Sequence, residues 1–287
     1  MEINRNVLLP NLVTMGNGVC GFAALALLFR VSVTPGGGPL AFQDPSVFSS
    51  AAWLILLGMV FDVFDGKVAR MSGGASALGA QLDSFCDLIS FGLAPAVIMM
   101  RLSIGYGQTW QRVVLIFSLG YFLFAMLRLA RFTAENEPDD TAHVAFKGLP
   151  SPGAAGCVAS LVIFYCYISA FEAKELQWIS TFVHPETLKD LVSYIPLLLP
   201  PLGLCLGFAM VSSRLRFEHL GSRLFSRKHS FEDYVYLLFA VILAALVPEV
   251  ILPLAFVGYL VYTPARIAFR YFVPGASPEV RDDSRPS

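Results

Sequence analysis

The chain has 287 residues, of which 56% are hydrophobic and 14% charged, with 20 basic side chains against 21 acidic ones. Soluble domains carry roughly 25% charged residues, so this composition excludes a water-soluble globule, a disordered chain, a coiled coil and a secreted disulfide scaffold. A formal net charge of −1 argues against a nucleic-acid partner.

A bilayer span takes roughly 20 mostly apolar residues. Eight segments approach that length, at 11–29, 49–69, 79–101, 110–131, 152–171, 191–212, 233–248 and 249–268. They predict an all-α, polytopic integral membrane bundle of about eight transmembrane helices. The first segment is interrupted by Asn11, Thr14, Gly16, Asn17 and Gly18 and lacks a small-residue cleavage site, so it reads as a transmembrane helix rather than a signal peptide. The last two segments meet at a tight turn near Pro248 and Glu249, with one long bent element as the alternative.

Between the segments, residues 31–48 contain TPGGGP and read as an external loop. Residues 134–140 form an acidic insert, residues 213–231 carry five basic side chains, and the tail after Pro274 is polar. With eight spans, 15 of the 20 Lys and Arg residues fall on the side of the two termini, which places both termini in the cytoplasm. The five cysteines lie in apolar surroundings and read as small buried hydrophobes.

The stretch from Phe61 to Gly92 places Asp62, Asp65, Asp83 and Asp87 within or at the edge of the second and third spans. A mid-membrane Asp costs about 2.5–3.5 kcal/mol on insertion scales, so such a set needs a reason to be there. Asp62, Asp65, Gly66 and Ala69 share one helix face, and Gly79, Asp83 and Asp87 share another. The link Ser72–Ser76 is short, which predicts antiparallel neighbouring helices whose carboxylates converge at the cytoplasmic end. Four carboxylates without a nearby imidazole form a hard oxygen set suited to Mg2+ or Mn2+ and able to hold two such ions, while Ca2+ stays open and zinc is disfavoured.

Asp62, Asp65, Gly66, Ala69, Arg70, Gly79, Asp83 and Asp87 occupy eight fixed positions across 26 residues in the pattern D-x-x-D-G-x-x-A-R-x8-G-x-x-x-D-x-x-x-D. This pattern resembles the signature of the CDP-alcohol phosphotransferases, integral membrane enzymes of phospholipid synthesis. LLPNLVTMGNGVCGF, LDSFCDLISFGLAPA, LRLARF and FKGLPSP resemble the phosphatidylserine synthase branch of that family, and the similarity covers about the first 155 residues. Further on only AMVSSRLRF is familiar, with a Leu where the branch usually has Ile.

The resemblance implies transfer of a phosphatidyl group from CDP-diacylglycerol to L-serine with release of CMP. Glycerol 3-phosphate, inositol, inositol phosphate and choline are the other acceptors used within the family. It implies metal ligation by Asp62, Asp65 and Asp83, and proton abstraction by Asp87, which also touches the second ion. Gly66, Ala69 and Gly79 would leave room for the cytidine, with close helix packing as the other explanation. Arg70 would lie on the phosphate side or snorkel as an anchor, and Asn11 and Thr14 would frame the nucleotide or merely cap the helix. Arg128 and Arg131 would meet the lipid phosphate or the serine carboxylate, or serve only as positive-inside anchors.

The same resemblance implies a homodimer in the cytoplasmic membrane of a prokaryote. The chain is accordingly read as a catalytic core over residues 1–212, with composition and hydropathy marking a basic loop with two further spans over 213–272 and a polar tail over 273–287. The histidine-based class of serine synthases is unsupported, since no His is followed two residues later by Lys. A cation transporter is the remaining alternative, but it needs polar groups along the external halves of the spans, and these are apolar.

Overall fold

A computed structural model describes residues 5–30, 45–72, 77–135, 148–170, 185–212 and 242–272. Helix α1 runs over Arg5–Arg30, α2 over Pro45–Ser72 and α3 over Ala77–Asp87. A π-helical turn at Leu88–Leu93 follows α3 directly and leads into α4, Ala94–Leu102, and a 3-10 turn at Ile104–Tyr106. Then come α5 over Gln108–Glu135, α6 over Ser151–Ala170, α7 over Pro185–Ser193, α8 over Ile195–Val211 and α9 over Pro248–Phe272. No strand occurs among the described residues, in keeping with the apolar composition.

Five stretches are long and apolar enough to cross a membrane: Pro10–Arg30, Pro45–Val68, Leu78–Tyr106, Gln108–Ala134 and Ser151–Ala170. They match the first five predicted spans. The sixth corresponds to α7 and α8, which together pass the same test but are bent by 46° at their junction. The described residues therefore hold five spans, or six with the bent pair. The eighth predicted span falls on α9, whose apolar part is Pro248–Tyr262. Most of the segment 233–248 lies outside the described residues, as do residues 31–44, 136–147, 213–241 and 273–287, including the basic loop, Lys147 and the tail.

The third span is not one regular helix, and Pro95 accounts for the difference. Proline has no N–H to give to the carbonyl four residues earlier, here Phe91. The Tyr121 hydroxyl of α5 donates to that carbonyl instead, at 2.8 Å, and Tyr121 is fully buried. The backbone widens around this point, with the Ala94 N–H donating to the Ile89 carbonyl five residues back.

Helix α6 is the most enclosed span, contacting α2, α4, α7, α8 and α9. Its entry is locked by Gly148, which has φ +98°; a Cβ there would collide with the Met210 carbonyl of α8. Leu149 N–H donates to the Ala209 carbonyl at 3.0 Å, tying the start of α6 to the end of α8. At the opposite end the Ser103 hydroxyl donates to the Pro196 carbonyl at 2.7 Å, and the Tyr106 hydroxyl to the Ser193 carbonyl at 2.8 Å.

Helix α1 packs along both α2 and α3, whereas α2 and α3 make little direct contact among the described residues. The sequence suggests that those two helices pack directly; the fold instead inserts α1 against both. Small residues on α1 make this possible. A Cβ at Gly16 would press on the Phe61 ring at 3.1 Å, and one at Gly18 would meet Cys86 Sγ at 2.8 Å. At Gly21 the approach of Ser90 leaves no room for any side chain.

Candidate active site

The carboxylates of the sequence pattern come together in space. Asp62 of α2 and Asp83 and Asp87 of α3 each offer a carboxylate oxygen within 4.8 Å of the other two. Asp87 and Asp65 are buried, and Asp62 and Asp83 are half-buried. Asp65 stands beside this trio, near enough to interact electrostatically with Asp62, Asp83 and Asp87, and pairs with the Thr14 side chain of α1. Thr14 Oγ1 is also 3.1 Å from the Pro10 carbonyl, which holds it on the inner face of α1.

Asn17, fully buried on α1, completes the arrangement. Its Nδ2 donates to Asp87 Oδ1 at 2.8 Å. The Ser90 hydroxyl, in the π turn just after Asp87, donates to the Asn17 carbonyl at 2.8 Å. Asn17 Oδ1 faces the backbone of Gly58 on α2, where a Cβ would stand 2.9 Å away. One amide on α1 thus sits between α2 and α3 and fixes the carboxylate that ends α3.

Arg128 of α5 is half-buried and close enough to interact with both Asp62 and Asp87. Its Nη1 donates to the Ser151 hydroxyl at the start of α6. Arg131, one turn further along α5, is exposed. Asn11 is half-buried on α1, Gly66 half-buried on α2 and Gly79 half-buried on α3. Ala69 and Arg70 belong to α2, but their side chains lie outside the described residues. An open groove of about 620 Å3 lies between α3 and α5, lined by Gln81, Ser84, Phe85, Ala130, Thr133 and Ala134. By helical spacing two of its lining residues, Gln81 and Phe85, lie opposite Asp83 and Asp87 on α3.

The donor set fits a divalent cation. Asp65 Oδ2 and Asp83 Oδ1 are buried with no hydrogen-bond partner among the described residues. Clustered carboxylates repel one another in a low-dielectric surrounding unless a cation offsets them, and Arg128 supplies only one positive charge. Oxygen-only ligands at this spacing suit a hard ion such as Mg2+ or Mn2+.

Asn17 was visible in the sequence only as a break in the first apolar run. The signal that finds it is its spacing: it follows Thr14 by three residues, and both polar side chains face the carboxylates. Ser90 carried no signal of its own, because its role depends on the π turn.

Helices long and apolar enough to cross a membrane thus carry a cluster of carboxylates that could hold a metal ion, an arrangement suited to work on phosphate esters. The family model of the CDP-alcohol phosphatidyltransferases matches residues 7–185, and the chain belongs to that family. Among curated proteins, the CDP-diacylglycerol--serine O-phosphatidyltransferase of Saccharomyces cerevisiae is 37% identical over 172 residues, 56% of this chain and 58% of the yeast protein. The protein of the same name from Bacillus subtilis is 31% identical over 157 residues, 55% of this chain and 76% of its own length. The archaetidylserine synthase of Methanothermobacter thermautotrophicus is 29% identical over 173 residues, covering 59% of this chain and 64% of the relative. The match thus spans less than two thirds of the yeast and archaeal proteins, and most of α7 and all of α8 and α9 lie beyond the stretch matched by the family.

Proposed function

We propose that this protein transfers the phosphatidyl group of CDP-diacylglycerol to L-serine, giving phosphatidylserine and CMP. The observation that carries this reading is the convergence of Asp62, Asp83 and Asp87, with Asp65 beside them, in a chain of this family. Serine as acceptor is supported by the relatives: their names differ in the lipid, phosphatidyl or archaetidyl, but both contain serine.

Asp62, Asp65, Asp83 and Asp87 are the residues that would hold two Mg2+ or Mn2+ ions. Bound there, such ions neutralise the diphosphate of the donor lipid and stabilise CMP as a leaving group. The serine hydroxyl oxygen attacks the phosphorus that bears the diacylglycerol, its proton passes to the Asp87 carboxylate, and the P–O bond to CMP breaks. Asn17 keeps the Asp87 carboxylate in one orientation for that transfer. Gly66, Ala69 and Gly79 leave space for the cytidine, with Asn11 and Thr14 at its rim, and Arg70 serves the phosphates. Arg128, already turned toward Asp62 and Asp87, meets an anionic oxygen of a substrate, and Arg131 stands at the entrance on the same helix.

The same reading places the site and both termini on the cytoplasmic side of a prokaryotic membrane. It assigns residues 1–212 to the catalytic core, the two further spans and the basic loop to 213–272 and a polar tail to 273–287. It also takes the enzyme to be a homodimer, as the family resemblance implies.

The test is a panel assay of CMP release with one acceptor at a time at equal concentration. Serine is expected to support release, with little from glycerol 3-phosphate, inositol or choline. Preference for any of those three overturns the acceptor while leaving the family chemistry standing.

A further inference from the structure

Helix α9 lies outside the family-matched stretch, yet it packs along α6, the helix whose first residue takes the Arg128 hydrogen bond. The contact is close and directional. The Phe256 ring occupies the space that a side chain at Gly156 would need, and Tyr259 Cε1 stands 3.6 Å from the Cβ position of Gly153. Higher numbers on α9 meet lower numbers on α6, so the helices run antiparallel and α9 carries Tyr259 toward the end of α6 where Arg128 binds Ser151. Tyr259 is half-buried there and interacts electrostatically with the Arg128 guanidinium.

A guanidinium has five N–H donors, and the Ser151 hydroxyl engages one nitrogen. With one hydrogen bond to Ser151, the planar group can still turn about its stem. A phenolic oxygen engaging another of its nitrogens would restrict that rotation, and the tyrosine ring is itself in contact with α6.

We propose that Tyr259 is a positioning residue for Arg128, so that α9 is part of the active site although it lies beyond the family-matched stretch. Its hydroxyl accepts from the guanidinium and orients it toward an anionic oxygen of a substrate, either the diphosphate of the lipid donor or the carboxylate of the acceptor. The inference rests on the reading of Arg128 as a substrate-facing cation.

The experiment uses the full-length protein in nanodiscs with Mg2+, and compares Tyr259→Phe, Arg128→Lys and the double variant. Phenylalanine keeps the ring against Gly153 and removes only the hydroxyl. Tyr259→Phe is expected to raise one apparent KM about fivefold, the loss of one hydrogen bond, with Tm within roughly 2 °C of the parent. A rise for CDP-diacylglycerol assigns Arg128 to the diphosphate, and a rise for serine assigns it to the carboxylate. In the Arg128→Lys background, Tyr259→Phe is expected to change nothing further. The proposal is overturned if Tyr259→Phe leaves both KM values unchanged, if it lowers only Tm, or if the two effects multiply. Should Arg128→Lys itself leave both KM values unchanged, the substrate role of Arg128 fails and this proposal with it. That result is distinct from an impaired Arg128→Lys beside an unimpaired Tyr259→Phe, which sinks the Tyr259 role alone.

Discussion

Asn17 and Asp87 are separated by 70 residues and joined by a 2.8 Å hydrogen bond from the amide to the carboxylate. The amide is fully buried and its oxygen lies toward Gly58. Partners that orient ligating or catalytic groups are typically worth about 10–100-fold in affinity or activity. Asn17→Ala is therefore expected to lower kcat in that range while the protein still folds, checked by turnover alongside thermal unfolding. Gly58→Ala reaches the same bond from the other side, because its methyl would stand 2.9 Å from Asn17 Oδ1. It should reproduce the loss with Asn17 itself intact. Normal turnover in both variants would show that Asp87 does not need this partner.

Divalent cations should be indispensable, since among the described residues the guanidinium of Arg128 adds one positive charge against the combined charge of the carboxylates. EDTA is expected to abolish CMP release, and Mg2+ or Mn2+ to restore it. Asp62→Asn, Asp65→Asn and Asp83→Asn should each lower turnover by roughly two orders of magnitude or more. They should also weaken Mn2+ binding as followed by electron paramagnetic resonance, a readout independent of catalysis. Full activity in a metal-free preparation would rule out the cation site.

Space beside the carboxylates can be tested at Gly66 and Gly79, both half-buried on the helices that carry them. Gly66→Leu and Gly79→Leu are expected to weaken CDP-diacylglycerol binding severalfold with the protein still inserted, measured by a lipid-nucleotide binding assay. If both bind the donor normally, these glycines serve helix packing instead.

Two backbone positions make predictions about stability alone. Gly148→Ala forces a residue at φ +98° against the Met210 carbonyl and is expected to cost about 1–3 kcal/mol, seen as a lower Tm. Tyr121→Phe leaves the Phe91 carbonyl without its 2.8 Å donor and is expected to cost about 1–3 kcal/mol. An unchanged Tm in Tyr121→Phe would mean that the widened turn finds another donor for that carbonyl.

Much of the site was legible because helical periodicity is a strong constraint. Shared helix faces bring Asp62 on one helix and Asp83 and Asp87 on another toward one point, and their carboxylate oxygens lie within 4.8 Å of one another. The apolar runs likewise located the spans from α1 to α6. What stayed hidden depended on groups far apart in sequence. Pro95 leaves the Phe91 carbonyl without a backbone donor, and nothing local in the sequence names Tyr121 as the group that supplies one. Asn17 looked like one polar residue among several in α1, and its importance rests on α1 packing against both α2 and α3. The approach of α9 to Arg128 lies outside the motif altogether.

The place of Asn17 on the first span also bears on how the protein is made. Synthesis runs at roughly 5–20 residues per second, so the 70 residues between Asn17 and Asp87 take several seconds to emerge. During that interval α1 has its amide but not the carboxylate that will accept its hydrogen bond. A polar group held in lipid without a partner is costly, which favours a nascent α1 resting near the aqueous face or beside other protein until the third span arrives. Closure of the Asn17–Asp87 bond is then a late event in biogenesis, and the carboxylate cluster is not complete before it.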